Sequence, residues 1–153
     1  MFGKTVAQSL GFQKVVLALI VLVFLVRLAL SLGGTPNATA KWASVTVVLL
    51  LGVVYYGVAV HTRAFGSYKQ LLPLLLFQSL LAETLVSLAI VLAIFTGQDN
   101  IYTAPEYSGG GEGKTWLHVV AHLIVGSIVL PLISWGISSL VLLVTKKVAP
   151  RPA

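Results

Sequence analysis

Hydrophobic positions along the chain fall into four long runs, and the connections between them carry the polar and turn-forming residues. A helix crosses the ~30 Å hydrocarbon core of a bilayer with about 17 to 25 mainly apolar residues, and every run reaches that length. The pattern therefore predicts four transmembrane helices, over residues 15–32, 43–60, 71–96 and 116–144.

Four helices of this size form one bundle, so we expect an all-α integral membrane protein with a single four-helix transmembrane domain over residues 1–153 and up-down connectivity. The connection 97–114 contains three consecutive glycines, a proline, two tyrosines and three of the four acidic residues. Such a composition predicts a long, flexible external loop between the third and fourth helices.

Composition agrees with a membrane protein and excludes several classes. Of the 153 residues, 58% are hydrophobic and 9% are charged, whereas about a quarter are charged in soluble domains. The chain has no cysteine, so disulfides and thiolate metal sites are excluded. The net charge of +6 comes from basic residues scattered between apolar runs, so the expected partner is the lipid bilayer and not nucleic acid.

The basic residues are distributed unequally between the two sides of the predicted bundle. If the helices alternate in direction, seven lysines and arginines lie on the side of the termini and two, Lys41 and Lys114, lie on the other side. The positive-inside rule then places both termini in the cytoplasm, and we expect a bacterial inner (plasma) membrane protein. The seven are Lys4, Lys14, Arg63, Lys69, Lys146, Lys147 and Arg151.

Two charged residues lie inside the predicted spans. Glu83 is twelve residues from Leu71, and Arg27 is twelve residues from Val15 (83 − 71 and 27 − 15). Both spans run from the cytoplasm outward, so both side chains are about 18 Å from the inner boundary at ~1.5 Å per residue. An unpaired charge is costly in lipid, so we expect a buried ion pair between Arg27 and Glu83.

Two histidines near the outer end of the fourth span complete a predicted polar cluster. His118 and His122 share one helix face, and His122 is about 10 Å below the outer boundary, near the layer of Arg27 and Glu83. The two histidines could hold a transition metal or provide one axial ligand of a haem, although no cofactor is favoured. His61 lies at the opposite end and cannot complete a bis-histidine pair with either.

Small hydroxyl residues recur at helix-contact spacing in the third and fourth spans, which favours close helix packing. In a regular α-helix, those of the fourth span lie roughly opposite to the two histidines. A proline deep in the fourth span predicts a kink or an opened backbone ladder near Ser127. The polar stripe comprises Ser79, Ser87, Ser127, Ser134 and Ser138, and the proline is Pro131.

These observations favour a non-enzymatic membrane protein that binds or moves a small solute, ion or lipid. The pathway would use Arg27, Glu83, His118 and His122, and the protein would act as a homo-oligomer or as a subunit of a larger membrane complex. Two alternatives remain open from the sequence: an accessory subunit of an electron-transfer complex, with or without haem, and a structural or assembly factor.

Overall fold

A computed structural model describes residues 2–149. Within that range the fold is all-helical, with no strand. Arg151 lies outside the described residues. Four segments are long and apolar enough to cross a membrane, which confirms the prediction of four long apolar helices and indicates a membrane protein. The helices are α1 (Val6–Leu32), α2 (Asn37–Ala40), α3 (Val45–Thr62), α4 (Tyr68–Thr96) and α5 (Trp116–Val148), with a 3₁₀ turn at Pro105–Tyr107.

Capping residues set several helix bounds, and α1 begins well before its apolar run. Before α1, the Thr5 hydroxyl accepts a hydrogen bond from the Gln8 backbone N–H at 3.1 Å, and the Gln8 side chain accepts one from the Thr5 N–H at 2.9 Å. This capping box starts the helix nine residues before Val15. Helix α4 ends before Gly97, whose φ of 72° lies in the left-handed region.

Helix α4 lies at the centre of the bundle and contacts α1, α3 and α5. Helix α3 approaches α5 closely at Gly57, where a Cβ atom would come within 2.9 Å of the Ser138 carbonyl oxygen. Nearby, the Ser138 hydroxyl donates to the Val53 carbonyl at 2.9 Å. The fully buried apolar side chains between the helices include Ile20, Tyr56, Leu74, Leu75, Ile90 and Leu142.

Hydrogen bonds identify the two ends of the bundle. The end of α3 meets the end of α5 where His61 Nε2–H donates to the Ala149 carbonyl at 3.2 Å. The end of α1 meets the connection after α4 where the Ile101 N–H donates to Ser31 Oγ at 2.8 Å. We call the end with His61 the termini face and the end with Ile101 the loop face. Successive long helices therefore alternate in direction.

Candidate functional site

The carboxyl group of Glu83 is held by a histidine of the neighbouring helix. Glu83 is 7% exposed, and its Oε2 atom lies 2.6 Å from His122 Nδ1 on α5. This distance is within the range of charge-assisted hydrogen bonds. The intramembrane acid predicted from the sequence thus has a titratable partner, and that partner is a histidine.

A π-helical segment of α5, His122–Val129, places this histidine against α4. Within it, backbone bonds reach five residues back, as where the Leu130 N–H donates to the Val125 carbonyl. Gly126 lies in the segment directly over the Glu83 carboxyl group, and any Cβ there would overlap the carboxyl atoms. The absence of a side chain at Gly126 is therefore what allows Glu83 to approach the backbone of α5.

A second histidine continues the contact toward the loop face. His122 Nε2 lies 3.1 Å from His118 Nε2, and His118 Nδ1 lies 2.9 Å from the Gly113 carbonyl oxygen. Gly113 belongs to the connection that precedes α5. We call Glu83, His122 and His118 the polar row. It forms an unbroken series of hydrogen bonds from the interior of the bundle to the loop.

If every contact of the polar row is a hydrogen bond, the number of protons in the row follows. A carbonyl oxygen only accepts, so His118 Nδ1 carries a proton. The contact between the two Nε2 atoms needs a second proton, and the contact between His122 and Glu83 needs a third. One glutamate and two histidines with three protons have zero net charge. The loss of one proton leaves a charge of −1 and breaks one of the three bonds.

Arg27 faces the same region but does not pair with Glu83. Within residues 2–149, no carboxylate oxygen lies within 4.0 Å of its guanidinium group, so the expected direct ion pair is not formed. Instead the guanidinium carbon lies 5.1 Å from the ring centre of Tyr102 and 5.1 Å from that of Tyr107. These distances indicate cation–π contacts.

The two charged groups line one cavity of about 170 Å³, which we call the inner cavity. Helix α3 contributes Val45, Thr46 and Leu49 to its wall, and the aromatic rings that contact Arg27 lie on its loop side. The equal depth predicted for Arg27 and Glu83 agrees with their sharing this space. Its lining is Arg27, Val45, Thr46, Leu49, Ala82, Glu83, Val86, Tyr102, Tyr107 and His122.

The connection between α4 and α5 folds onto the bundle, in contrast to the flexible loop expected from its composition. Ile101 is fully buried, and Asn100 donates through Nδ2 to the Ala89 carbonyl of α4 at 2.8 Å. Tyr102 is 6% exposed, and this burial raises its pKa to about 12 although the Arg27 guanidinium opposes the shift. The phenol of Tyr102 therefore stays protonated at neutral pH.

A second space of about 430 Å³, the loop pocket, lies at the loop face. Three acids line it, and one of them, Asp99, pairs with Lys114 at 3.1 Å. Hydrogen bonds from its own backbone and from Asn37 hold the pKa of Glu106 below its usual range. Gly113, whose carbonyl oxygen contacts His118, also lines the loop pocket, so the polar row ends beside that pocket.

The polar row has a third side, which faces out of the bundle. An open groove of about 290 Å³ runs along α5 and is bordered by Glu83, His118 and His122 together with apolar residues. The His122 side chain is 29% exposed there. The row is therefore reached from the inner cavity, from the loop and from this lateral groove.

The arrangement of the histidines bears on the metal and haem alternatives. All four ring nitrogens of His118 and His122 have contacts, to Glu83, to Gly113 or to each other. A metal ion or a haem iron at either histidine would have to displace one of these bonds. Within the described part of the chain, no group of three or more potential metal ligands comes together.

The serines of the polar stripe are buried or partly buried in the bundle. Ser79, Ser87, Ser127 and Ser138 are buried, and Ser134 is partly buried. In a regular helix the serines of α5 would lie opposite to the histidines, but the π-helical segment between them adds about one residue of offset, or ~100° of rotation. Both sets of side chains can therefore turn toward the other helices. The π-helical segment ends just before Pro131, where the sequence predicts a disturbed backbone ladder.

Sequence reasoning missed four residues of this site. Gly113, Gly126, Tyr102 and Tyr107 have no helix periodicity that marks them, and three of them lie in a loop. The available signal for the tyrosines was the apolar pair Ile101 and Tyr102 inside an otherwise polar connection.

The fold and the site define a class: a small all-helical protein with four candidate membrane spans and a partly buried row of titratable groups. Beyond this class, the chain matches no protein-family model, no curated protein and no solved structure.

Proposed function

We propose that this is a non-enzymatic membrane protein that conducts protons across the membrane, with the polar row as the step between the loop face and the inner cavity, and that it couples this conduction to the binding or movement of a small solute. The observation that carries the proposal is the unbroken hydrogen-bonded row from Glu83 through His122 to His118. Its contacts of 2.6 and 3.1 Å lie in the range in which protons are transferred. The distribution of basic residues supports cytoplasmic termini, which puts the loop face outside.

Proton release in this mechanism follows from the proton count. When the proton shared with Glu83 is on His122, that ring is an imidazolium, and its Nε2–H bond breaks as a new N–H bond forms on His118 Nε2. His118 is then the imidazolium, and its Nδ1–H bond breaks as the proton passes to water at the loop face. The row is left with two protons and a charge of −1. A new proton from the cavity side and rotation of the rings restore the starting state.

The proposal is tested with purified protein in proteoliposomes that contain a pH-sensitive dye and are driven by a potassium diffusion potential. We expect Glu83→Gln, His122→Ala and His118→Ala each to lower the proton flux by roughly tenfold or more, because each breaks the row. His61→Ala is the matched control: His61 is also buried, but it bonds to Ala149 at the termini face. Flux that is unchanged in Glu83→Gln protein that inserts normally would remove the row from the mechanism.

The alternatives have direct tests of their own. A Soret band in the absorbance spectrum of the purified protein, lost in His118→Ala and His122→Ala, would support a haem-binding accessory subunit. That the protein forms a homo-oligomer or joins a larger complex stays a prediction. The mass of the detergent-solubilised particle would test it.

A further inference from the structure

Arg27 is a buried residue whose guanidinium group has no hydrogen-bond acceptor from the described chain. Arg27 is 8% exposed, its Nε atom is buried and unpartnered, and residues 2–149 supply it with no ion pair. The faces of Tyr102 and Tyr107 offer π-electrons, which do not satisfy the directed N–H donors. Buried donors without acceptors are costly, so the acceptors must come from something that occupies the space beside them.

A second unpartnered donor lies at the same place. The Tyr102 hydroxyl group is buried and has no partner within the described residues, and Tyr102 and Arg27 both line the inner cavity. The cavity volume of about 170 Å³ is several times the ~30 Å³ share of one water molecule in the liquid. The cavity is therefore large enough for a small molecule of several heavy atoms that accepts hydrogen bonds.

The charges around the cavity indicate the charge of that molecule. Helix α1 contributes Arg27 at +1, and α3 contributes no titratable group. Helices α4 and α5 contribute the polar row, which is neutral when it holds three protons, and the loop contributes two tyrosines. The sum is +1, which a single negative charge neutralises, whereas a divalent anion would leave an excess charge in a low-dielectric space.

We infer that the inner cavity binds a small monovalent anion of the carboxylate class, held by the guanidinium fork of Arg27. The planar guanidinium group presents parallel N–H donors that match the two oxygens of a carboxylate. A spherical halide has no such pair of acceptors. The inference deepens the proposed function and rests on it in one respect, the three-proton state of the row. Loss of a proton from the row lowers the cavity charge from +1 to 0, so the anion binds together with a proton.

The test measures equilibrium binding of radiolabelled acetate to the purified protein in detergent, with unlabelled chloride and sulfate as competitors. We expect saturable acetate binding that weakens as the pH rises and that chloride and sulfate displace at least tenfold less effectively than unlabelled acetate. Arg27→Gln should weaken binding by roughly tenfold or more, as expected for loss of a charge-assisted contact. The matched control is Arg63→Gln, because Arg63 also lies over a tyrosine, Tyr55 at 5.5 Å, but is exposed and outside the cavity.

Two further variants keep the test decisive if Arg27→Gln does not fold. Thr46 is exposed and lines the cavity, so Thr46→Phe narrows it without altering a charge and should abolish acetate binding. Glu83→Gln removes the negative charge that the row acquires when it loses a proton, so the cavity charge does not fall below +1. Acetate binding should then persist at high pH, where that of the unmodified protein weakens, although proton flux is lost. Acetate binding that survives both Arg27→Gln and Thr46→Phe, or equal displacement by chloride, would overturn the inference. A failed flux assay with intact acetate binding would count against the proposed function alone.

Discussion

At the scale of single residues, Arg27 and Glu83 line one cavity but contact different partners. Equal depth places Arg27 and Glu83 in one layer, and they share one cavity. Depth gives the height of a side chain but not its direction around the helix axis, which depends on packing. His122 approaches Glu83 from α5, while Arg27 turns toward two tyrosines of the loop.

Gly126 gives a test of this local geometry that removes no titratable group. Its Cβ in Gly126→Ala would overlap the Glu83 carboxyl group, so we expect the bond to His122 to break and proton flux to fall by roughly tenfold. Overpacking of this kind costs about 1–3 kcal/mol, which thermal unfolding in detergent would register. Gly136→Ala on the same helix is the control, because nothing lies within 4 Å of its Cβ position. Equal flux in the two variants would contradict the proposed contact.

At the scale of elements, the π-helical segment of α5 is the feature that hydrophobic periodicity predicts least. The sequence predicts a disturbance from Pro131 near Ser127 but cannot give its form. Over the whole of His122–Val129 the backbone hydrogen bonds follow the π-helical pattern and reach five residues back. This pattern turns the histidines and the serines of α5 toward the bundle, and a regular helix would not do so.

Restoring the backbone donor with Pro131→Ala tests whether the π-helical segment positions the row. The new N–H favours regular α-helical bonds, so we expect slower hydrogen exchange over residues 122–130 and reduced proton flux, as the histidines rotate relative to Glu83. Pro73→Ala is the control, because Pro73 lies inside α4 without a π-helical segment. Unchanged exchange and flux in Pro131→Ala would show that another feature maintains the segment.

At the scale of the whole molecule, the site depends on the connection between α4 and α5 covering the loop face. Consecutive glycines and acids predict flexibility, and the residues around Gly109 and Gly110 are exposed. The first half behaves differently, because Ile101 and Tyr102 bury apolar surface against the bundle. The average composition of the connection does not distinguish its buried first half from its exposed second half. The packing of Tyr102 and Tyr107 against Arg27 could therefore not be predicted from composition.

The Asn100 side chain anchors the first half of this connection to α4. The variant Asn100→Ala tests whether the site depends on that anchoring. The amide donates to the Ala89 carbonyl at 2.8 Å and accepts from the Tyr102 N–H at 3.0 Å, both in a buried setting. Asn100→Ala leaves these groups without partners, which costs about 1–3 kcal/mol and should lower the unfolding temperature. Because Tyr102 then loses its anchor beside Arg27, hydrogen exchange over residues 99–107 should accelerate and acetate binding should weaken.

The control for this experiment is Gln98→Ala, which removes an exposed amide from the same connection. We expect the control to match the unmodified protein in unfolding temperature, exchange and acetate binding. If Asn100→Ala accelerates exchange in the loop while acetate binding stays at the level of the control, the cover over Arg27 is dispensable, and the anion is held by Arg27 and the helices alone. If both properties change together, the loop completes the inner cavity.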